Sequence, residues 1–418
     1  MRPARSERAA LPPQLVPSMV APGAASSHEW RRITVVRQTV TRPASFTRRE
    51  LVKCAAAGAV AIGLGQRSPT WAAAAVTPAR DPAIIGSWGG LQIPAVGAYF
   101  GADDTTRGFT TAKGIETQLS RRMGFRNRRY GWLAKCPSAA AIADSKLSAP
   151  GVVPMTSFGS PSTFPVKSAG WSGHGDLSTT PYGQGIDRIT NGEFDSYWRS
   201  VALGLKALGV PVIFRLWQEP NGPHNPYYGA WQGGLGTGGE AAFAAAWRHI
   251  WTVFNAEKAT LAAGGNCIWV FCAQQTTGPA KTGGPWQPYW PGGDVVDWSG
   301  MDLYRETFPF EAVNPPVYGS FYQWAVDNQK PFMICESGFQ QAKVVTDSSG
   351  RYDKDGSVTG NSLITATRTA VQQYPQCVAY GIWNNGRGNL ADFVDTSAAS
   401  LAQYRAFAHD PWFTLTRS

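Results

Sequence analysis

The chain has 418 residues, 43% of them hydrophobic, enough to bury a large core. Its net charge of +10 is uneven: residues 1–75 hold 11 Lys/Arg against 3 Asp/Glu, and the remainder carries only +2. The basic balance therefore belongs to the leader and excludes nucleic-acid binding as a deduction from charge.

That leader carries Thr47-Arg-Arg-Glu-Leu-Val-Lys53, then an apolar Gly/Ala-rich run from Cys54 to Gly65, then Ala72-Ala-Ala-Ala75. The pattern predicts a twin-arginine export leader over 1–75 with a small-residue cleavage site. The apolar run falls short of the ~20 residues a membrane span needs. Secretion without stable membrane insertion is the expectation, with 76–418 as the exported domain. Past the leader five Cys remain, Cys136, Cys267, Cys272, Cys335 and Cys377, an odd number in a chain too long to need a disulfide framework. Cys267 and Cys272 fall on opposite faces of one strand. No metal site or cofactor is expected.

From Ile84 onward strand-like and helix-like segments alternate. Ala95–Gly101 reads as the first strand and Ala112–Met123 as its helix. Arg129–Ala134 and Val152–Phe158 read as strands two and three. The arginine-rich run Arg121–Arg129 reads as a solvated helix end, with a site for uronic acid or phosphate groups as the alternative. Residues 159–185 form a long Ser/Gly/Pro loop with Trp171, His174 and Tyr182 in it, a length that favours a functional role.

Phe194–Leu208 has helical spacing, with Tyr197, Val201, Leu205 and Leu208 on one face. It leads into Pro211-Val-Ile-Phe-Arg-Leu-Trp-Gln-Glu-Pro-Asn-Gly222, a strand that turns polar while still extended and ends in turn chemistry. Alternation along a strand places Arg215, Trp217 and Glu219 on one face, a set that a closed core rejects and a barrel mouth accepts. Gly234–Gly239 matches G-x-G-x-x-G, but no strand precedes it, so it reads as a loop. Phe243, Trp247, Ile250, Trp251 and Phe254 then make one helical stripe over Glu240–Ala259.

Strands follow at Ile268–Ala273, Val295–Tyr304, Pro331–Glu336 and Cys377–Trp383, with helices at Phe321–Asn328, Ser362–Tyr374 and Leu401–Ala408 and a polar loop over 342–360. Eight βα repeats predict an α/β fold, a (β/α)8 TIM barrel with loop insertions as a single catalytic domain.

In such a barrel the carboxyl ends of the strands line the site. Strand four offers Arg215, Trp217, Gln218, Glu219 and Asn221; strand six Asp302 and Tyr304; strand seven Glu336; strand eight Trp383, then Asn384. Two carboxylates with an aromatic platform are the equipment of retaining glycoside hydrolysis, in which the carboxyl groups stand ~5–5.5 Å apart. Glu219, between Trp217 and Pro220, suits the acid/base role, and Glu336, near Arg215 and Tyr304, the nucleophile.

Phe214–Gly222, Ile189–Asp195, Ala246–Ile250, Tyr289–Asp297 and Gly300–Tyr304 resemble the matching segments of glycoside hydrolase family 26, the β-mannanase-type barrels of a large retaining clan. The resemblance implies Glu219 as acid/base, Glu336 as nucleophile, and Asp302, Tyr304 and Trp383 as residues shaping the subsite at the cleavage point. It implies a polysaccharide substrate, β-1,4-mannan cut within the chain or a related β-glycan such as mixed-linkage glucan or xylan; a monomer without cofactor is the expectation. Gln218 stands where the family has His, Pro220 where it has Met, and Asn384-Asn385 follow the strand-eight Trp. A glycan-binding barrel that cuts nothing is the alternative those departures leave open.

Overall fold

The computed structural model describes residues 79–104, 106–131, 149–159, 187–222, 239–274, 285–304, 321–338, 364–387, 390–391 and 393–417. All lie within one compact unit, Ala73–Ser418. The leader, Cys136, the loop at 160–185, Gly234–Gly238 and the loop at 342–360 fall outside the described residues.

Strands β1 (Gly86–Trp88) and β2 (Leu91–Ile93) form an antiparallel hairpin. Next come β3 (Tyr99–Asp103), β4 (Phe125–Tyr130), β5 (Val153–Phe158) and β6 (Val212–Leu216). They are followed by β7 (Cys267–Gln274), β8 (Trp298–Tyr304), β9 (Phe332–Gly338) and β10 (Cys377–Trp383). These last eight are parallel neighbours in chain order, and β10 pairs back onto β3 to close the barrel. The expected (β/α)8 architecture is the observed one. Among the described helices are α1 (Ile115–Leu119), α2 (Asp187–Thr190), α3 (Asp195–Lys206) and α4 (Gly239–Ala256). The others are α5 (Phe321–Asp327), α6 (364–370) and α7 (Ala398–Ala408). No described helix is long and apolar enough to cross a membrane.

Alternation along the strands sorts the core into two layers. Tyr99, Phe125, Val153, Met155, Ile213, Ile268, Val270, Trp298 and Met333 fill the barrel interior. Leu91 and Ile93 of the hairpin join that cluster and plug its lower end. Phe158, Phe214, Trp269 and Phe271 point outward, where Trp198 of α3 and Phe243, Trp247 and Phe254 of α4 meet them. The rings pack tilted or edge-on, as at Phe214–Trp269 (4.6 Å) and Trp247–Trp269 (5.5 Å), the arrangement their quadrupoles favour.

Strand two differs from expectation. It spans Phe125–Tyr130 rather than 129–134, so the second half of the arginine-rich run is a barrel strand, not a solvated helix end. Helix α1 has stopped well before it, at a left-handed Ser120 (φ 52°). Arg126 points outward and grips Glu116 of α1 through Nε (2.9 Å) and Nη2 (2.6 Å). The acid that makes arginine tolerable on this strand comes from the preceding helix.

The seam between β3 and β10 is tied at its lower end by Arg80. Its guanidinium, 3% exposed, donates to the carbonyls of Pro375 (2.6 Å), Pro94 (2.5 Å) and Gly97 (2.7 Å) and more weakly to Cys377 (3.4 Å). Burial lowers the group to about 10, so it stays charged near neutrality. Arg80→Met should leave these carbonyls without donors and cost about 3 kcal/mol or more, read as a fall in the urea unfolding midpoint. An unchanged midpoint would show that the seam does not need the guanidinium.

Candidate active site

Toward the carboxyl ends the inner face of the barrel changes from apolar to polar. Asp103, Asn127, Ser157, Arg215 and Asp302 follow the inward apolar positions of their own strands and are all buried. Arg215 is fully buried at the centre. Its Nη2 donates to Glu336 Oε1 (2.5 Å), its Nη1 to Asp302 Oδ1 (2.9 Å) and its Nε to Ser157 Oγ (2.8 Å). Ser157 Oγ in turn donates to Asn127 Oδ1 (2.7 Å), and Asn127 Nδ2 to Asp103 Oδ2 (3.1 Å). Arg129 closes the ring: its Nε donates to Asp103 Oδ2 (2.7 Å) and its Nη2 pairs with Glu336 Oε2 (2.5 Å). Each oxygen of Glu336 thus faces its own arginine. Burial works against the Arg215 charge, but its anionic surroundings, Glu336 foremost, outweigh it and hold the guanidinium well above its ordinary range.

Glu336 reaches this position through a bulge. Along β8 and β9, Met301 pairs with Ile334 but Asp302 pairs with Glu336, which leaves Cys335 as an extra residue. Strict alternation would send Glu336 outward with Phe332 and Ile334. One inserted residue turns it inward, a common use of a bulge beside a functional site.

Glu219 lies on the loop after β6, and that loop is hung between two strands. Trp217 N donates to Phe158 O of β5 (2.9 Å), and Glu219 N to Cys272 O of β7 (2.8 Å). Asn221 clamps the end of β7 twice, donating from Nδ2 to Gln274 O (3.0 Å) and accepting from Gln274 N at Oδ1 (2.7 Å). Trp217 (φ 48°) and Glu219 (φ 56°) are both left-handed, a conformation that costs a non-glycine residue about 1–2 kcal/mol. Glu219 is 7% exposed.

Those two left-handed residues overturn one expectation. The strand ends at Leu216, so Arg215, Trp217 and Glu219 are not three steps of one extended face. Trp217 is buried in the outer layer against Trp198 (6.5 Å) and Phe243 (5.9 Å), which makes it packing rather than a sugar contact. Asp302 belongs to the buried ring, 1% exposed. Trp383 is half-buried at the end of β10, in register with Asp103. Gln218 is half-buried beside Glu219. Asn384 is fully buried and its Oδ1 accepts from Val394 N (2.9 Å), so it serves the fold's own loop. Tyr304 ends β8, and its side chain falls outside the described residues.

Sequence reading missed Arg129, Asp103 and Asn385. Asn385 Nδ2 donates to Asp103 Oδ1 (2.8 Å) and its Oδ1 accepts from Thr106 N (2.9 Å). The available signal was Asn127 and Arg129 two apart on an alternating strand, next to a strand ending in Asp103.

Cys272, Asp302 and Cys335 bring possible metal donors within 4.8 Å of one another. Arg215 Nη1 lies 2.9 Å from Asp302 Oδ1 and 3.8 Å from Cys272 Sγ, so a guanidinium already answers this donor set and a second cation would be repelled. Cys272 faces inward and Cys267 outward, as their spacing implied.

Two carboxyls outside the ring are raised. Burial lifts Asp104, beside the site, to about 6, against a hydrogen bond from Ile115 N (2.7 Å). Burial also lifts Asp297 to about 6, against a bond from Trp269 N. Both exceed the unfolded value of 3.8, so the folded chain binds protons the unfolded chain releases. Their contribution to stability is complete below pH 3.8 and is lost as pH rises through about 6. Asp104→Asn combined with Asp297→Asn should flatten the fall in thermal midpoint between about pH 4 and 7. A parallel fall in the double variant would exclude these two groups. Arg215→Met should leave Glu336 and Asp302 facing each other without the guanidinium, at a cost of about 3–5 kcal/mol, measured by chemical denaturation. A loss under about 1 kcal/mol would mean that the ring is not held by this residue.

No family model matches the chain, and no curated protein matches it by sequence. Solved structures do. An endo-β-1,4-mannanase double mutant from Cellulomonas fimi aligns at 18% identity over 77% of this chain and 72% of that one, TM-score 0.51. A second structure, of a modular endo-β-1,4-mannanase from the same organism, aligns at 17% over the same shares, TM-score 0.51. A Bacillus subtilis mannanase aligns at 16% over 77% and 87%, TM-score 0.46. What the chain shares with the Cellulomonas fimi structures at these identities is the (β/α)8 barrel fold.

Proposed function

We propose that the chain is an exported retaining glycoside hydrolase acting on a β-linked polysaccharide, with Glu336 as nucleophile and Glu219 as acid/base. The observation that carries this reading is the pair of arginines holding both oxygens of a buried carboxylate on strand seven at 2.5 Å. Glu219, fixed on a strained loop at the end of strand four, supplies the second carboxyl.

The steps follow from that pairing. Glu219 gives its proton to the glycosidic oxygen as the bond to the anomeric carbon breaks. A Glu336 oxygen attacks that carbon and forms a glycosyl ester. Arg129 and Arg215 fix the direction of attack by holding the carboxylate plane. The Glu219 carboxylate then takes a proton from a water whose oxygen attacks the anomeric carbon, and the bond from that carbon to Glu336 breaks, restoring the carboxylate. Two inversions return the original configuration.

A β-1,4-mannan is the first substrate to test, supported by the sequence resemblance and by endo-β-1,4-mannanases among structures of similar fold. Gln218 in place of His keeps mixed-linkage glucan and xylan open. The half-buried Trp383 at the end of strand eight is the platform proposed beneath the sugar. Export is proposed from the twin-arginine leader.

Reducing-sugar release from mannan, mixed-linkage glucan and xylan should appear with the parent protein and vanish in Glu336→Ala. Glu219→Ala should lower kcat/KM by about 10²–10⁴-fold, with azide restoring turnover of an activated aryl glycoside. Glycan binding by the parent without release from any polymer would replace this reading with the non-catalytic barrel.

A further inference from the structure

We propose that Asp302 is held as the neutral, protonated acid in the resting protein, a positioning residue that leaves the charge of Arg215 to Glu336. Among the described residues the ring sets two guanidiniums, Arg129 and Arg215, against three carboxyl groups, Asp103, Glu336 and Asp302. Asp103 and Glu336 alone balance the two arginines. A third anion at 1% exposure would add an uncompensated buried charge, which costs far more than a buried neutral acid.

The hydrogen bonds divide the same way. Asp302 Oδ1 accepts from Arg215 Nη1 (2.9 Å) and from the Cys272 thiol (3.2 Å). Asp302 Oδ2 is buried with no partner among the described residues. An unsolvated anionic oxygen in that place is costlier than an unsolvated hydroxyl. The groups that face Asp302 are Cys272 of β7, Cys335 and Glu336 of β9, Arg215 of β6 and Glu219 of the following loop. Among them only Arg215 and, weakly, the Cys272 thiol hydrogen bond favour an anion. Burial first, then the charge of Glu336, hold the Asp302 carboxyl well above the ordinary range.

The consequence is electrostatic. An ionised Asp302 would share the Arg215 guanidinium and weaken its hold on Glu336. A neutral Asp302 still accepts the Nη1 hydrogen bond, so it aims the guanidinium without competing for its charge. This assignment concerns the free protein and does not depend on which reaction the site performs.

Infrared difference spectroscopy of the full chain at neutral pH, parent minus Asp302→Asn, tests it. The parent should show a protonated-carboxyl C=O band that the variant lacks. A difference confined to carboxylate bands would overturn the proposal. Should the Asn variant fail to fold, the parent labelled at the aspartate side-chain carboxyl carbon gives the same answer by NMR. One resonance should stay at the protonated-acid position at about pH 8, where Asp104 and Asp297 have ionised. Its absence would equally overturn the assignment. Neither readout uses a substrate, so failure here leaves the hydrolase reading standing, and failure of that reading leaves this one standing.

Discussion

The guanidinium of Arg215, with no exposed surface, is shared by residues from three other strands: Ser157 of β5, Asp302 of β8 and Glu336 of β9. A charge that deep in a barrel is tolerable only if its donors find acceptors and an opposite charge lies among them, here the Glu336 carboxylate. A lysine could not satisfy both conditions. Its ammonium is a point charge, whereas the guanidinium is a rigid planar fork that reaches acceptors in several directions. The polar layer therefore has to be complete. Remove Arg215 or Glu336 and the partner left behind is an unpaired charge in a dry interior.

The layer works because the one beneath it is dry. Tyr99, Phe125, Met155, Ile213, Val270, Trp298 and Met333 fill the barrel below the ring, and the hairpin residues Leu91 and Ile93 seal the far end. With water excluded from below, the arginine–carboxylate contacts act in a medium of lower dielectric than solvent. The open end is the side where Arg129 is 36% exposed. The same eight strands supply both layers, because the inward residues turn from apolar to polar near their carboxyl ends.

Much of this was legible in the sequence. Apolar runs with period two, separated by helical stripes, marked seven of the eight barrel strands, and Glu219 and Glu336 were visible as carboxylates closing two of them. The errors share one physical cause: alternation is a rule for unbroken strands. Two left-handed residues broke it after Leu216 and sent Trp217 into the outer core. Arg129 was misjudged for a different reason. A run of arginines looks solvated when read locally, and its carboxylate partners, Asp103 and Glu336, lie 26 and 207 positions away. Distance in sequence hides a charge pair completely, whereas it leaves periodicity intact.

The bulge at Cys335 shows how far the site's geometry depends on residues without chemistry. An inward Glu336 needs an extra residue in β9, and that residue needs room on both sides. Gly300 of β8 gives it on one side: a Cβ there would lie 2.6 Å from Cys335 Sγ. Gly381 of β10 gives it on the other: a Cβ there would lie 2.4 Å from the Cys335 carbonyl oxygen. Any side chain at Gly381 would meet backbone rather than a movable side-chain end, so the strands would have to part or the bulge would have to flatten. Flattening restores strict alternation and turns Glu336 out among the helices. The direction of the carboxylate is thus set by the absence of two methyl groups on the neighbouring strands, while the arginines hold it where those strands have aimed it.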